Sequence, residues 1–176
     1  IEDHAVWTDA GQEWMLPLLS IEGPQENATY FVPLALAWEE ADEERLKRLS
    51  AGGLARVRQQ ANVGVMGDAF QDEVFCRAVV RAIGASTEVP TERGVVRFRP
   101  TSAFAGLAQD LDALPVSRPG GQSSNTVVML GENLFLKGYR RLRPGVNPEL
   151  EVGRFLTEVA RFAHCVPVAG SLEYTA

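Results

Sequence analysis

The sequence predicts an α+β fold, with antiparallel strands gathered around one helix and then a smaller strand–strand–helix unit. Three observations predict this. Short apolar runs alternate with Gly, Pro and Asn clusters through the first half of the chain, the pattern of hairpins. One stretch, Asp72–Ile83, instead repeats its apolar residues at helical spacing. Near the end, two short apolar runs joined by a tight turn lead through a basic loop into a capped helix at Asn147.

Trp14–Glu22 and Tyr30–Trp38 are apolar and rich in aromatics, with the turn cluster Gly23–Asn27 between them. They read as two antiparallel strands joined by a hairpin-like loop. Pro17 and Pro33 move part of each strand to an edge or bulge position, because proline cannot donate to a ladder. From Glu39 to Leu49 acids come first (Glu39, Glu40, Asp42, Glu43, Glu44) and bases last (Arg45, Lys47, Arg48). That order suits a helix dipole, but the segment lacks a full apolar stripe, so a solvated helical turn or mobile loop is expected. Leu54–Met66 reads as a strand closed by Gly64 and Gly67. In the helix that follows, Asp72 can cap, Phe75, Val79, Ala82 and Ile83 share a face, and Gly84 stops it. Val95–Arg99 alternates as a strand and turns at Pro100-Thr101-Ser102, while Ala103–Leu114 is weakly helical or irregular.

Ser117–Asn125 is the segment richest in turn formers, so the expected division is residues 1–116 and 117–176. Beyond it, Thr126–Leu130 and Leu134–Gly138 read as strands around the tight turn Gly131-Glu132-Asn133. Asn147 then caps a helix with Pro148 at its first position, Glu149 in the first turn and Glu151 just beyond. Val152, Phe155, Leu156, Val159 and Ala163 form its apolar face out to about His164, and Val166–Tyr174 is extended. There is no internal repeat and no low-complexity tract.

With 176 residues, 45% of them apolar, the chain can bury a substantial core. A net charge of −6 disfavours a general nucleic-acid binder, and no apolar run is long enough to span a bilayer as a helix. Cys76 and Cys165 are far apart in sequence, outside any metal-binding spacing, and are expected to be buried free thiols in a reducing, cytoplasmic setting. His4 and His164 lack partners at metal spacing, so no metal site is expected. The first residue is not Met and no signal peptide is present, which together predict a piece of a longer protein.

Lys137 lies on an apolar run between Phe135, Leu136 and Tyr139. By itself it reads as an edge lysine, since a charge there must snorkel, pair or be buried at a cost. Glu151 shares a helix face with Phe155, one turn on, and so could meet Lys137. A strand lysine paired with a helix glutamate is how kinase N-lobes orient an ammonium towards nucleotide phosphates. The simpler role for Glu151 is an N-terminal acid complementing the helix dipole, and both roles can hold together. Arg140, Arg141 and Arg143 form a basic knot that could guide phosphate, bind acidic neighbours or, by default, solvate a loop. Gly120-Gly121 matches no phosphate-binding motif.

The run from Gln122 to Glu158, and above all Leu136–Glu158, resembles the N-lobe of maltokinases, including those fused to trehalose synthase. Tyr30-Phe-Val-Pro-Leu-Ala-Leu36 and Gly67-Asp-Ala-Phe70 are similar to the cap domain that precedes that lobe, although the family's aromatic-basic opening is not present. The resemblance implies a cystatin-like cap, a curved antiparallel sheet around one helix, over residues 1–116, and a partial protein-kinase-like N-lobe over 117–176. It implies ATP and Mg2+ as cofactors, maltose as the acceptor, and maltose 1-phosphate for α-glucan synthesis as the product. Lys137 would contact the phosphates with Glu151 as its helix partner, and Gln122, Ser123, Ser124, Asn125 and Thr126 would form a loop closing over nucleotide. The catalytic base, the magnesium ligands and the sugar pocket would belong to a C-lobe in cis, so this stretch alone is expected to lack turnover. Two alternatives stand beside it. One is the lobe of another sugar or aminoglycoside kinase. The other is a non-catalytic interaction module presenting the acidic run Glu39–Glu44.

Overall fold

The computed structural model describes residues 1–24, 26–40, 43–106, 111–120 and 125–176. The fold is α+β, and every strand ladder described is antiparallel. The chain opens with a hairpin that sequence reasoning missed at its first strand: β1 (Asp3–Asp9) and β2 (Gln12–Ile21). Ala10 and Gly11 join them, both at positive φ (47° and 77°), the two-residue turn whose twist suits a hairpin.

Val32-Pro33 splits the expected second strand into β3 (Ala28–Phe31) and β4 (Leu34–Trp38). One edge of β2 pairs with β3 from Leu18 to Ile21 and with β4 at Trp14 and Met15. Pro17 stands opposite the gap between them, where its missing N–H costs no ladder bond.

Residues 43–51 are helical, one of the two forms expected there, but the helix is longer than a turn and not wholly solvated. They form α1 (Glu43–Ala51), which buries Arg45 and Leu49. Leu54–Met66 proves to be two strands, β5 (Gly53–Gln59) and β6 (Asn62–Asp68), turning at Gln60-Ala61 with Gln60 at φ 55°. Neither Gly nor Pro marks that turn, which is why the sequence reads as one strand. These strands form a seven-stranded sheet in the order β12-β3-β2-β4-β6-β5, with β1 on β2 and with β12 formed by Arg141–Leu142.

The expected central helix is α2 (Glu73–Gly84), with Asp72 as its N-cap. Its buried Phe75, Cys76, Val79 and Ile83 meet Trp7 and Trp14 of the β1–β2 hairpin and Phe98 in one core cluster. Trp7 lies 5.2 Å from Trp14 and 5.0 Å from Phe98 between ring centres, and Phe75 packs edge-on to Trp14 at 5.7 Å. Phe98 belongs to β8 (Val95–Pro100), which lies between β7 (Glu88–Pro90) and β13 (Gly170–Thr175).

The third sheet holds β9 (Val116–Ser117), β10 (Asn125–Leu130) and β11 (Leu134–Tyr139). The boundary expected between residues 116 and 117 falls inside β9. Strands β12 and β13, from beyond that boundary, pair with β3 and β8 from before it. Val128, Leu130 and Leu134 join the same buried cluster as the tryptophans.

The last helix, α3 (Pro148–Arg154), passes into a π-helical turn at Phe155–Val159 and ends there, short of the expected His164. Ala160 N–H closes the turn on Phe155 O at 2.9 Å, and Arg161 adopts φ 48°, which turns the chain away. The apolar face expected to be buried is open: Val152, Phe155 and Val159 are 57%, 55% and 69% exposed. Cys76 is buried as expected and burial pushes its thiol up to about 12, whereas Cys165 is only half-buried. Among the described residues, no helix is long and apolar enough to cross a membrane.

Candidate functional site

The β10–β11 hairpin places Lys137. Alternation along each strand sends Thr126, Val128 and Leu130, with their partners Gly138, Leu136 and Leu134, to the core side. Asn125, Val127 and Met129, opposite Tyr139, Lys137 and Phe135, therefore share the outer face. Val127, Met129 and the 59% exposed Phe135 give Lys137 an apolar surround on that face.

The helix supplies the partner, and it is Glu149 where Glu151 was expected. Asn147 Oδ1 accepts from the N–H of Glu149 at 2.9 Å and of Leu150 at 3.4 Å, while Pro148 fixes the first helical position. This cap aims Glu149 at β11. Both its carboxylate oxygens accept from Lys137 Nζ, at 2.6 and 2.7 Å. Glu151 lies two residues further, about 200° around the helix, and is exposed. Lys137 Nζ also stands 5.0 Å from the centre of the Tyr139 ring.

The electrostatics follow from this pairing. The hydrogen bond to Glu149 raises Lys137 above its ordinary value, against the opposing effect of burial. Bonds from Lys137 and then Tyr139 hold Glu149 below its ordinary value, while burial and the Glu149 bond push Tyr139 up. The pair is thus intact from the usual glutamate range up past the usual lysine range. Its lysine and glutamate side chains are 35% and 61% exposed, so solvent screening limits its worth to about 1 kcal/mol or less. It sets geometry more than stability, and it presents a held ammonium on a partly apolar, accessible face.

Of the other expected site residues, Asn125 opens β10 on the Lys137 face. Thr126 faces the other way, and its hydroxyl accepts from Arg140 Nε at 2.8 Å. Gln122, Ser123 and Ser124 lie outside the described residues. The basic knot is largely engaged by acids: Arg140 pairs with Asp68 and Arg141 with Glu26, while Arg143 is exposed.

Sequence reasoning missed the support behind the hairpin. Arg140 stacks over the Phe70 ring at 4.4 Å, and Arg118 donates to Phe70 O at 2.9 and 3.0 Å. The same ring presses on β11 at Gly138, where a Cβ would stand 2.5 Å from it. The segment Gly67-Asp-Ala-Phe70 thus bears directly on the lysine-bearing strand. Its signal in the sequence was the adjacency of glycine, acid and aromatic, which carries no partner information by itself. Among the described residues, no group of three or more His, Cys, Asp or Glu side chains is placed to hold a metal ion. No known protein-family model matches the chain.

Proposed function

We propose that this chain is the cap and nucleotide-holding lobe of a maltokinase-type enzyme, which transfers phosphate from ATP to maltose to give maltose 1-phosphate. The observation that carries this reading is the ion pair between Lys137 on β11 and Glu149 on the helix that follows. A strand lysine held by a helix glutamate is the arrangement that kinase lobes use to orient a cation at nucleotide phosphates. The finer fold then reads as a cystatin-like cap, with strands β1–β6 and helix α2, followed by a partial kinase-like N-lobe built on β10, β11 and α3.

The residues present fit a nucleotide at its phosphates and base: Lys137 supplies the cation, and Val127, Met129 and Phe135 an apolar face. ATP, when bound, supplies the phosphoryl group. Lys137 orients it, Glu149 keeps the ammonium extended, and Asn125 lies across the hairpin on the same side. In this reading the Mg2+ ligands and the catalytic base lie in a C-lobe in cis. A cytoplasmic protein, alone or fused to trehalose synthase, is part of this reading. Another small-molecule kinase would share the lobe and differ in the acceptor.

Calorimetry of ATP–Mg2+ binding to the intact protein, with maltose-dependent ADP release alongside, tests it. Lys137→Ala removes a charged hydrogen-bond donor, so affinity should fall roughly ten- to a hundredfold and turnover with it. Unchanged binding and turnover would make Lys137 an edge lysine and overturn the reading. The 176-residue chain mixed with ATP and maltose should form no maltose phosphate, and product formation there would refute the split of roles between lobes.

A further inference from the structure

The most exposed strand that ends a sheet is β5. Six of its seven residues are exposed, Leu54 at 59%, and only Val57 is half-buried. It is the outermost strand of the seven-stranded sheet, so its far side has no strand partner among the described residues. Gln59 and Asn62 close a two-residue turn, and such a closing pair exchanges both backbone bonds. Two residues back, Val57 faces Gly64 in the same way. The backbone N–H and C=O groups of Arg56 and Arg58 therefore point away from β6, to the open edge.

The charge of this edge is opposite to that of the molecule. Residues 53–67 hold two arginines and no acid, in a chain of net charge −6. Arg56 and Arg58 project from the same face, and Ala55 and Val57 from the other.

We propose that the β5 edge takes up an extended acidic segment of a partner protein as an eighth strand. The pattern it fits is acid–apolar–acid, with the acids beside Arg56 and Arg58 and the apolar residue beside Val57. Backbone bonds would supply register and the arginines would supply selectivity. A second copy fits worse: a two-fold axis at Val57 would set Arg56 against Arg58 of the other copy, like charge opposite like. Nucleic acid fits worse too, because the rest of the chain repels it. The inference is independent of the kinase reading.

The test uses the intact protein and two labelled peptides, one alternating Glu and Val and one alternating Lys and Val. Fluorescence anisotropy should show the glutamate peptide bound at least about tenfold more tightly. That preference should shrink as salt rises from about 50 to about 300 mM. Hydrogen exchange should slow at the Arg56 and Arg58 amides when the glutamate peptide is bound. The double variant Arg56→Glu with Arg58→Glu, altered only at exposed positions, should reverse the preference. Equal or absent binding of the two peptides, or protection elsewhere on the surface, would overturn the proposal. So would sedimentation showing that the edge is already taken by a second copy.

Discussion

Asp72 shows how much one residue can hold. Its Oδ1 caps α2 through the N–H of Val74 at 3.1 Å. Its Oδ2 accepts from Trp14 Nε1 at 3.1 Å and from Arg45 Nε and Nη2 at 3.1 and 2.8 Å. The carboxylate is fully buried and the arginine nearly so, so removing it takes away the buried acceptor shared by Trp14, Arg45 and the α2 N-terminus and breaks a buried ion pair. Asp72→Ala should therefore cost about 3–5 kcal/mol in urea denaturation. Asp72→Asn, which keeps the cap, should cost less. Only half of this was legible: the cap position of Asp72 follows from its place before an apolar helical repeat. Its pairing with Arg45, 27 positions away, leaves no local trace. Arg45 looked like one more base in a charged run because nothing nearby in sequence reveals the pocket that takes it. Sequence places the partner of Lys137 at Glu151, two positions past Glu149, for a related reason. Sequence locates the cap at Asn147, but which first-turn acid faces the strand depends on how the helix is docked.

Among elements, those specified by neighbouring residues were legible and those specified by distant ones were not. Helix α2, the β10–β11 hairpin and the start of α3 carry their own caps, turns and periodicity. The turn between β5 and β6 has none of these marks, and β7 is three residues long, held by its ladder with β8. The end of α3 depends on the remote segment at Val168, whose N–H donates to Thr157 Oγ1 at 3.0 Å. The joint between β11 and the Asp68–Phe70 segment is likewise tertiary. Gly138→Ala should strain it by roughly 1–3 kcal/mol in thermal or chemical denaturation, because the new methyl meets the Phe70 ring. Phe70→Leu should recover part of that loss in the double variant. Equal losses with and without Phe70 would show that the contact is not the cause.

At the scale of the whole molecule, the ends of the chain are tied together. Asp3, 3% exposed, accepts from the hydroxyls of Thr91 at 2.5 Å and Tyr174 at 2.8 Å, and from the N–H groups of His4 and Arg93. Burial opposes its charge, but these donors prevail and bring it down to about 2. The carboxyl is depressed on folding, so its contribution is full above the ordinary aspartate value of about 4. It is lost as pH falls towards about 2. Asp3→Asn should lower the Tm at neutral pH and flatten the loss of stability through that acid window. The pairing of β12 with β3 and of β13 with β8 also predicts one cooperative transition. Tryptophan fluorescence from Trp7, Trp14 and Trp38 should report the same midpoint as far-ultraviolet circular dichroism. Separate midpoints would show that residues 117–176 unfold on their own. Whether Glu149 holds Lys137 for phosphate is decided by the ATP–Mg2+ affinity of the intact protein carrying Glu149→Gln or Glu151→Gln. If the Lys137–Glu149 pair presents the cation to phosphate, Glu149→Gln should weaken binding by about tenfold and Glu151→Gln should leave it within about twofold. Equal effects, or a loss confined to Glu151→Gln, would show that the Lys137–Glu149 pair does not serve the nucleotide.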